Sequence, residues 1–199
     1  MNPVAQAQAD PASTQTSVSK STAFPFLDLN AQFEEIRTEV MAAVERVFES
    51  QHFILGPDVQ QFEKEMAEFL GCRYAFGCAS GSDALVLALM ALEIGAADEV
   101  ITTPFTFVAT AGAIARTGAR PVFIDIDPAT YNLNPTDIQG AITSRTKAII
   151  PVHLFGLPAA MDEIKQVARS NHIAVIEDAA QAIGARYRGE WQAVGPCAA

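Results

Sequence analysis

A carboxylate that follows directly on a buried strand needs something to bind. In Ile173-Ala174-Val175-Ile176-Glu177-Asp178-Ala179-Ala180-Gln181, the four apolar residues read as a strand, and Glu177 and Asp178 stand at its end. In an open α/β sheet, ligands sit in the crevice just past the carboxyl ends of the parallel strands. Asp178 therefore lies at the floor of a candidate site. A buried carboxylate without a partner is strongly disfavoured, so the strand implies a cation or hydrogen-bond donor for Asp178. A carboxylate capping the next helix is the other reading open at this point.

Two further strand ends carry polar or aromatic groups. Ala79-Ser80-Gly81-Ser82-Asp83-Ala84-Leu85 is a tight turn that opens a helix. The unpaired amides and the dipole of a helix start bind a phosphate well. Gly81 lets the backbone approach closely, and Ser82 adds a hydroxyl donor. The Asp83 carboxylate would repel a phosphate, so its backbone N–H is the expected contact. An ordinary capped helix start remains the alternative. Thr103-Pro104-Phe105-Thr106-Phe107 follows another strand. Its two aromatics can stack on a flat ring, or simply belong to the core. His153 ends a strand and is given no role.

An anion cradle, an aromatic plate and a buried carboxylate suit a planar, phosphorylated, basic heteroaromatic. Pyridoxal 5′-phosphate fits that description, because an aspartate keeps its ring nitrogen protonated and improves it as an electron sink. The charged pair would also keep Asp178 ionised in a buried setting.

The elements that position these groups alternate. Helical apolar spacing covers Ala31–Ser50 and Val59–Leu70, the second stopped by Gly71. Strands are expected at Tyr74–Gly77, Glu99–Thr102, Pro121–Asp125, Lys147–His153 and Ile173–Ile176. Helices are expected at Ala84–Leu92, Thr106–Arg116, Pro135–Ile142 and Ala160–Asn171, with Asn134 an N-cap before Pro135. The strand runs are continuously apolar, as in strands buried on both faces. The βαβαβ order predicts an α/β fold: a three-layer, mainly parallel sheet with helices on both sides.

Composition narrows the classes. The chain has 199 residues, half of them apolar, and a net charge of −10. That charge argues against nucleic acid or an anionic membrane as the main partner, since both need clustered Lys and Arg. Cys72, Cys78 and Cys197 are odd in number and lack metal-ligand spacing, so reduced thiols in the cytoplasm are expected and no metal site. No apolar run reaches the length of a membrane span, and no signal or transit peptide is indicated. Met1 to Thr22, rich in Ala, Gln, Ser, Thr and Pro, is expected to be a disordered tail.

In combination the motifs resemble the DegT/StrS-type family of sugar aminotransferases, which have the aspartate aminotransferase type I fold. The matching segments run in order from about Phe24 to Gly195. They are Phe26-Leu27-Asp28-Leu29, Phe53-Ile54-Leu55-Gly56-Pro57, Phe62-Glu63, Ser80-Gly81-Ser82-Asp83-Ala84-Leu85, Asp98-Glu99-Val100-Ile101, Thr106-Phe107-Val108-Ala109-Thr110, Pro121-Val122-Phe123-Ile124-Asp125, Pro151-Val152-His153-Leu154-Phe155-Gly156 and Glu177-Asp178-Ala179-Ala180-Gln181. The resemblance implies roles for the matching residues. Asp178 would pair with the pyridinium nitrogen, Gln181 would lie near the ring oxygen, and Phe107 would stack on the ring. Ser82 and the Gly81–Asp83 backbone would hold the phosphate. It also implies a nucleotide-linked keto sugar as substrate, glutamate as amino donor and a homodimer. The Ser82-Asp83 pair is similar to members acting at the 3-keto position of dTDP sugars.

One departure is expected to matter. The family carries its Schiff-base lysine in a Ser-Phe-x-x-x-Lys-Asn segment, after the glycine that resembles Gly195. The lysines here are Lys20, Lys64, Lys147 and Lys165. None is placed to be that lysine, so residues 23–199 are expected to form a partial cofactor-binding large domain, inactive by itself. Strand Tyr74–Gly77 would then have an unpaired edge, and the isolated chain would be poorly soluble or molten. Two other classes stay open: a cofactor-binding regulator or sugar dehydratase without transamination, and a doubly wound domain for another phosphorylated ligand.

Overall fold

The computed structural model describes residues 27–187. The expected disordered tail, Lys20, Gly195 and Cys197 lie outside the described residues. The chain divides into two compact units, Met1–Gln51 and His52–Ala199.

In the first unit, helix α1 spans Leu29–Ser50. It starts two residues before the expected Ala31, because Asp28 caps it by accepting the Ala31 N–H at 3.0 Å. It ends where Gln51 turns left-handed at φ 56°. None of its residues is buried.

The second unit opens with α2, Pro57–Leu70, which has proline in its first turn and stops at Gly71 with φ 65°. The expected strand at Tyr74–Gly77 does not form. This stretch is irregular, with Phe76 84% exposed. A strand exists only through a ladder. Here the Gly77 N–H donates instead to Glu63 Oε1 of α2, at 2.7 Å.

From there the chain alternates. Helix α3 is Gly81–Ala91, strand β1 Glu99–Thr102, helix α4 Val108–Arg116 and strand β2 Arg120–Phe123. Helix α5 is Pro135–Ala141, strand β3 Thr146–Ile149, helix α6 Met161–Ser170 and strand β4 Ala174–Val175. Asn134 caps α5 as expected, accepting from the Thr136 N–H at 3.2 Å. Strand β3 is shorter than the expected Lys147–His153. Pairing nevertheless continues beyond it, through Ile150 N–H to Ile101 O and the Val152–Asp178 bridge.

The sheet order is β2-β1-β3-β4, with every named pair parallel. Successive residues in a strand point to opposite faces. Val100, Ala148 and Ile150 thus pack with Leu85, Leu89 and Ile114 from α3 and α4. Ile101 and Ile149 pack with Ile138, Met161 and Ile164 from α5 and α6 on the other side. That is why the strands read as continuous apolar runs. From β1 the chain first steps to β2, then crosses back to β3. The direction of winding reverses between β1 and β3, and a crevice opens past their carboxyl ends. No helix among the described residues is long and apolar enough to cross a membrane.

The opposite, amino-terminal edge of the sheet is closed by one charge. Glu99 is 1% exposed. Its carboxylate accepts from Thr143 Oγ1 at 2.6 Å, Arg120 Nη2 at 2.6 Å and Arg145 Nε at 3.0 Å. The Thr143 hydroxyl first, and then the two guanidinium groups, outweigh the cost of burial and lower its pKa from 4.5 to about 2. A depressed carboxyl contributes stability above its unfolded pKa and loses it as pH falls through the folded one. Glu99→Gln should therefore be less stable than the parent at neutral pH. The gap should close between pH 4.5 and about 2, in urea unfolding of both proteins at stepped pH. A gap constant over that range would remove this role for Glu99.

Candidate active site

Asp178 stands at the end of the β4 segment, 7% exposed. Its backbone is built into the sheet: its N–H donates to Pro151 O at 2.9 Å, and its C=O accepts the His153 N–H at 3.0 Å. Its side chain faces the crevice. Oδ2 accepts from Thr110 Oγ1 at 2.8 Å, and Oδ1 accepts from the Ala180 N–H at 3.3 Å. The capping alternative is not what occurs, since Ala180, Gln181, Ile183 and Gly184 form turns and no helix follows among the described residues.

A cleft of about 570 Å³ opens above this carboxylate. Of the expected site residues, Gly81, Ser82, Phe107, Asp178 and Gln181 all line it. They come from three places that fold independently of one another in sequence: the start of α3, the β1–α4 junction and the segment after β4. The Gly81 and Ser82 amides are in the first turn of α3, where the helix provides no partner. Phe107 is the N-cap residue of α4 and is 74% exposed. A core phenylalanine would be covered, so that reading is not met.

Asp83 lies apart from the cleft lining. Its N–H donates to Ser80 Oγ at 3.2 Å, the capping bond of α3. Its carboxylate meets Arg116 Nη1 at 3.3 Å. The amide expected to face an anion is thus taken by the cap, and the carboxylate is balanced away from it. Gln181 Oε1 accepts the Phe155 N–H at 3.0 Å, which leaves its amide nitrogen as the donor half. Phe155 is left-handed at φ 53° without being glycine. That bond and Asn132 hold its turn: Asn132 Oδ1 accepts from the Leu154 N–H and its Nδ2 donates to Leu157 O.

Two groups are more important than the sequence suggested. Thr110 is buried and touches Asp178 directly. His153 lines the cleft, yet its ring is tied elsewhere. Nδ1 accepts the Ala159 N–H at 3.0 Å, which leaves Nε2 as the proton-bearing nitrogen, 3.0 Å from Glu177 Oε2. Glu177 Oε1 meets Lys165 Nζ at 3.1 Å. Burial pushes the Glu177 carboxyl up, but the His153 hydrogen bond and the Lys165 ammonium outweigh that and hold it below the usual carboxylate value. The adjacent carboxylates therefore face different partners, and Glu177 is a brace behind the cleft. The signal was present in the sequence: a second carboxylate at a strand end also needs a partner.

Residues 34–199 match the DegT/DnrJ/EryC1/StrS aminotransferase family. This chain belongs to that family. It is 51% identical over 166 residues to the pleiotropic regulatory protein of Geobacillus stearothermophilus, covering 83% of this chain and 45% of that protein. It is 50% identical over 165 residues to the UDP-2-acetamido-2-deoxy-3-oxo-D-glucuronate aminotransferase of Pseudomonas aeruginosa, covering 83% and 46%. Among solved structures, DesV of S. venezuelae, in complex with a ketimine intermediate, superposes with a TM-score of 0.82 at 46% identity over 83% of this chain and 45% of that one. Bacillus subtilis NtdA with bound cofactor PMP gives 0.81 at 35% identity, over 87% and 40%. The chain spans about half the length of the curated relatives it matches. The α/β fold with a parallel sheet is that of the type I aminotransferases in this family, as the sequence leads one to expect.

His153→Ala should show how far the brace supports the cleft. It empties a fully buried ring and leaves the Ala159 N–H and the Glu177 carboxylate without that partner. A loss of about 2–4 kcal/mol is expected in urea unfolding. A loss below about 0.5 kcal/mol, the range of a surface change, would mean the ring braces nothing.

Proposed function

We propose that this chain supplies the cofactor-holding part of a pyridoxal 5′-phosphate-dependent nucleotide-sugar aminotransferase. When bound, that cofactor supplies an electron sink for moving an amino group between an amino acid and a ketone. The donor set of the cleft suits it. Gly81 and Ser82 offer unpartnered helix-start amides and a hydroxyl to the phosphate. Asp178 offers a carboxylate to the protonated ring nitrogen. Phe107 offers an exposed ring face, and Gln181 offers its amide nitrogen to the ring oxygen. Asp83 keeps the turn in shape through Ser80 and Arg116. Asp178 is the observation that carries the reading. It is a buried carboxylate at the carboxyl end of the sheet, held by neutral donors and facing the cleft, where an aromatic N–H cation would complete it.

The substrate reading is a nucleotide-linked 3-keto sugar with glutamate as amino donor. It is supported by the Ser82-Asp83 pair and by the P. aeruginosa relative, whose name states a 3-oxo sugar. A cytoplasmic homodimer is part of the same reading. Large apolar side chains left open at Ile54, Leu55 and Phe76, 73–86% exposed, suit a protein partner. Among the described residues no lysine lines the cleft. A second reading, a cofactor-binding regulator, is favoured by the name of the G. stearothermophilus relative.

Calorimetric titration with pyridoxamine 5′-phosphate tests the site. Asp178→Asn should weaken binding about tenfold or more, the scale of a hydrogen bond to a charged group. Ser82→Ala should weaken it less. Equal affinity for parent and Asp178→Asn would defeat the reading. Transfer itself is tested by giving the loaded protein a UDP- or dTDP-linked 3-keto sugar, with methylamine as a mobile base. An amino sugar detected by mass spectrometry supports the enzyme over the regulator.

A further inference from the structure

The carboxylate at the centre of the cleft is held from another helix. Thr110 Oγ1 donates to Asp178 Oδ2 at 2.8 Å, and Thr106 Oγ1 lies 2.9 Å from Thr110 Oγ1. A hydroxyl carries one hydrogen, and a carboxylate only accepts. Thr110 gives its hydrogen to Asp178, so Thr106 must be the donor in the second bond. The relay thus runs one way, from Thr106 to Thr110 to Asp178. A threonine in a helix usually turns its hydroxyl to the carbonyl four residues back or to water. Thr110 is 1% exposed and reaches a residue 68 positions along the chain.

The two carboxylate oxygens are therefore unequal. Oδ2 has the short bond in the relay, while Oδ1 has only the 3.3 Å contact from the Ala180 N–H. We propose that Thr110, backed by Thr106, is a positioning residue that pins Asp178 Oδ2 and so presents Oδ1 to the ring N–H of the cofactor. This rests on the reading of Asp178 as the partner of the ring nitrogen. The two threonines stand four apart at the mouth of α4, Thr106 just before Phe107 and Thr110 in the first turn. The element that carries the stacking aromatic thereby also sets the carboxylate. Oriented hydrogen-bond chains in a low-dielectric setting strengthen each member, so Thr106, itself in the cleft lining, backs the bond that Thr110 makes to Asp178.

Valine at position 110 keeps the shape and removes the hydroxyl; serine keeps the hydroxyl. Titration of the full chain with pyridoxamine 5′-phosphate should show Thr110→Val about tenfold weaker than the parent and Thr110→Ser within about twofold of it. Affinity for inorganic phosphate, which has no ring, should not change in either variant. In an Asp178→Asn background, Thr110→Val should have no further effect on pyridoxamine 5′-phosphate binding. Parent-like binding by Thr110→Val overturns the inference. So does a loss that appears equally with inorganic phosphate or in the Asp178→Asn background, since a general packing defect would act that way. If Asp178→Asn itself binds like the parent, the reading of Asp178 fails and the inference falls with it.

Discussion

A parallel sheet covered on both faces leaves a chain few places to keep a charge. Every side chain of β1 is buried, and the two cores on either side of the sheet are made of apolar residues. Polar chemistry is then confined to the two ends of the strands. At the amino ends it is spent on structure, where Glu99 gathers Arg120, Arg145 and Thr143 into a closed cluster. At the carboxyl ends the groups converge without neutralising one another, and Asp178 keeps a carboxylate turned to a cleft. The same burial rule yields a structural charge at one end and a chemical one at the other.

Chain order decides which pair of strands frames the cleft. Because β1 lies between β2 and β3, the loops after β1 and β3 diverge to opposite faces. The crevice between them needs no special residues to exist. What the sequence adds is the lining: Phe107 after β1, Phe155 after β3 and Asp178 after β4. Family membership and the superposition on DesV agree with this arrangement.

Much of this was legible in the residues, and the reasons it was legible are physical. Continuous apolar runs showed two-faced burial, and punctuation by Gly71, Asn134-Pro135 and the Ser80 turn showed the helix ends. Asp178, Ser82, Phe107 and Gln181 stood out because each is polar or aromatic at a strand or helix end, and Gly81 because it lets the backbone come close at a helix start. The misses concern groups whose partners are distant in sequence. Tyr74–Gly77 has strand-like composition, but pairing depends on a neighbour that composition does not contain, and Glu63 takes its amide. Thr110 looked like any small helical residue until the fold set it against a residue 68 positions away. His153 looked isolated for the same reason, as Glu177 reaches it from 24 positions along the chain.

Among the described residues, strand β4 is two residues long, stands last in the sheet order and pairs with β3. Short edge strands open easily, and their amides exchange with solvent early. Yet the segment that follows it carries Asp178, whose side chain is fastened to α4 near the middle of the unit. The closing of that long loop has an entropic cost, which grows only slowly with its length. A ligand that grips both Asp178 and the start of α3 would bridge the edge of the sheet to its interior. Occupancy of the cleft would then be felt as slowed amide exchange through β4, a mechanical tie between the margin of the fold and its core.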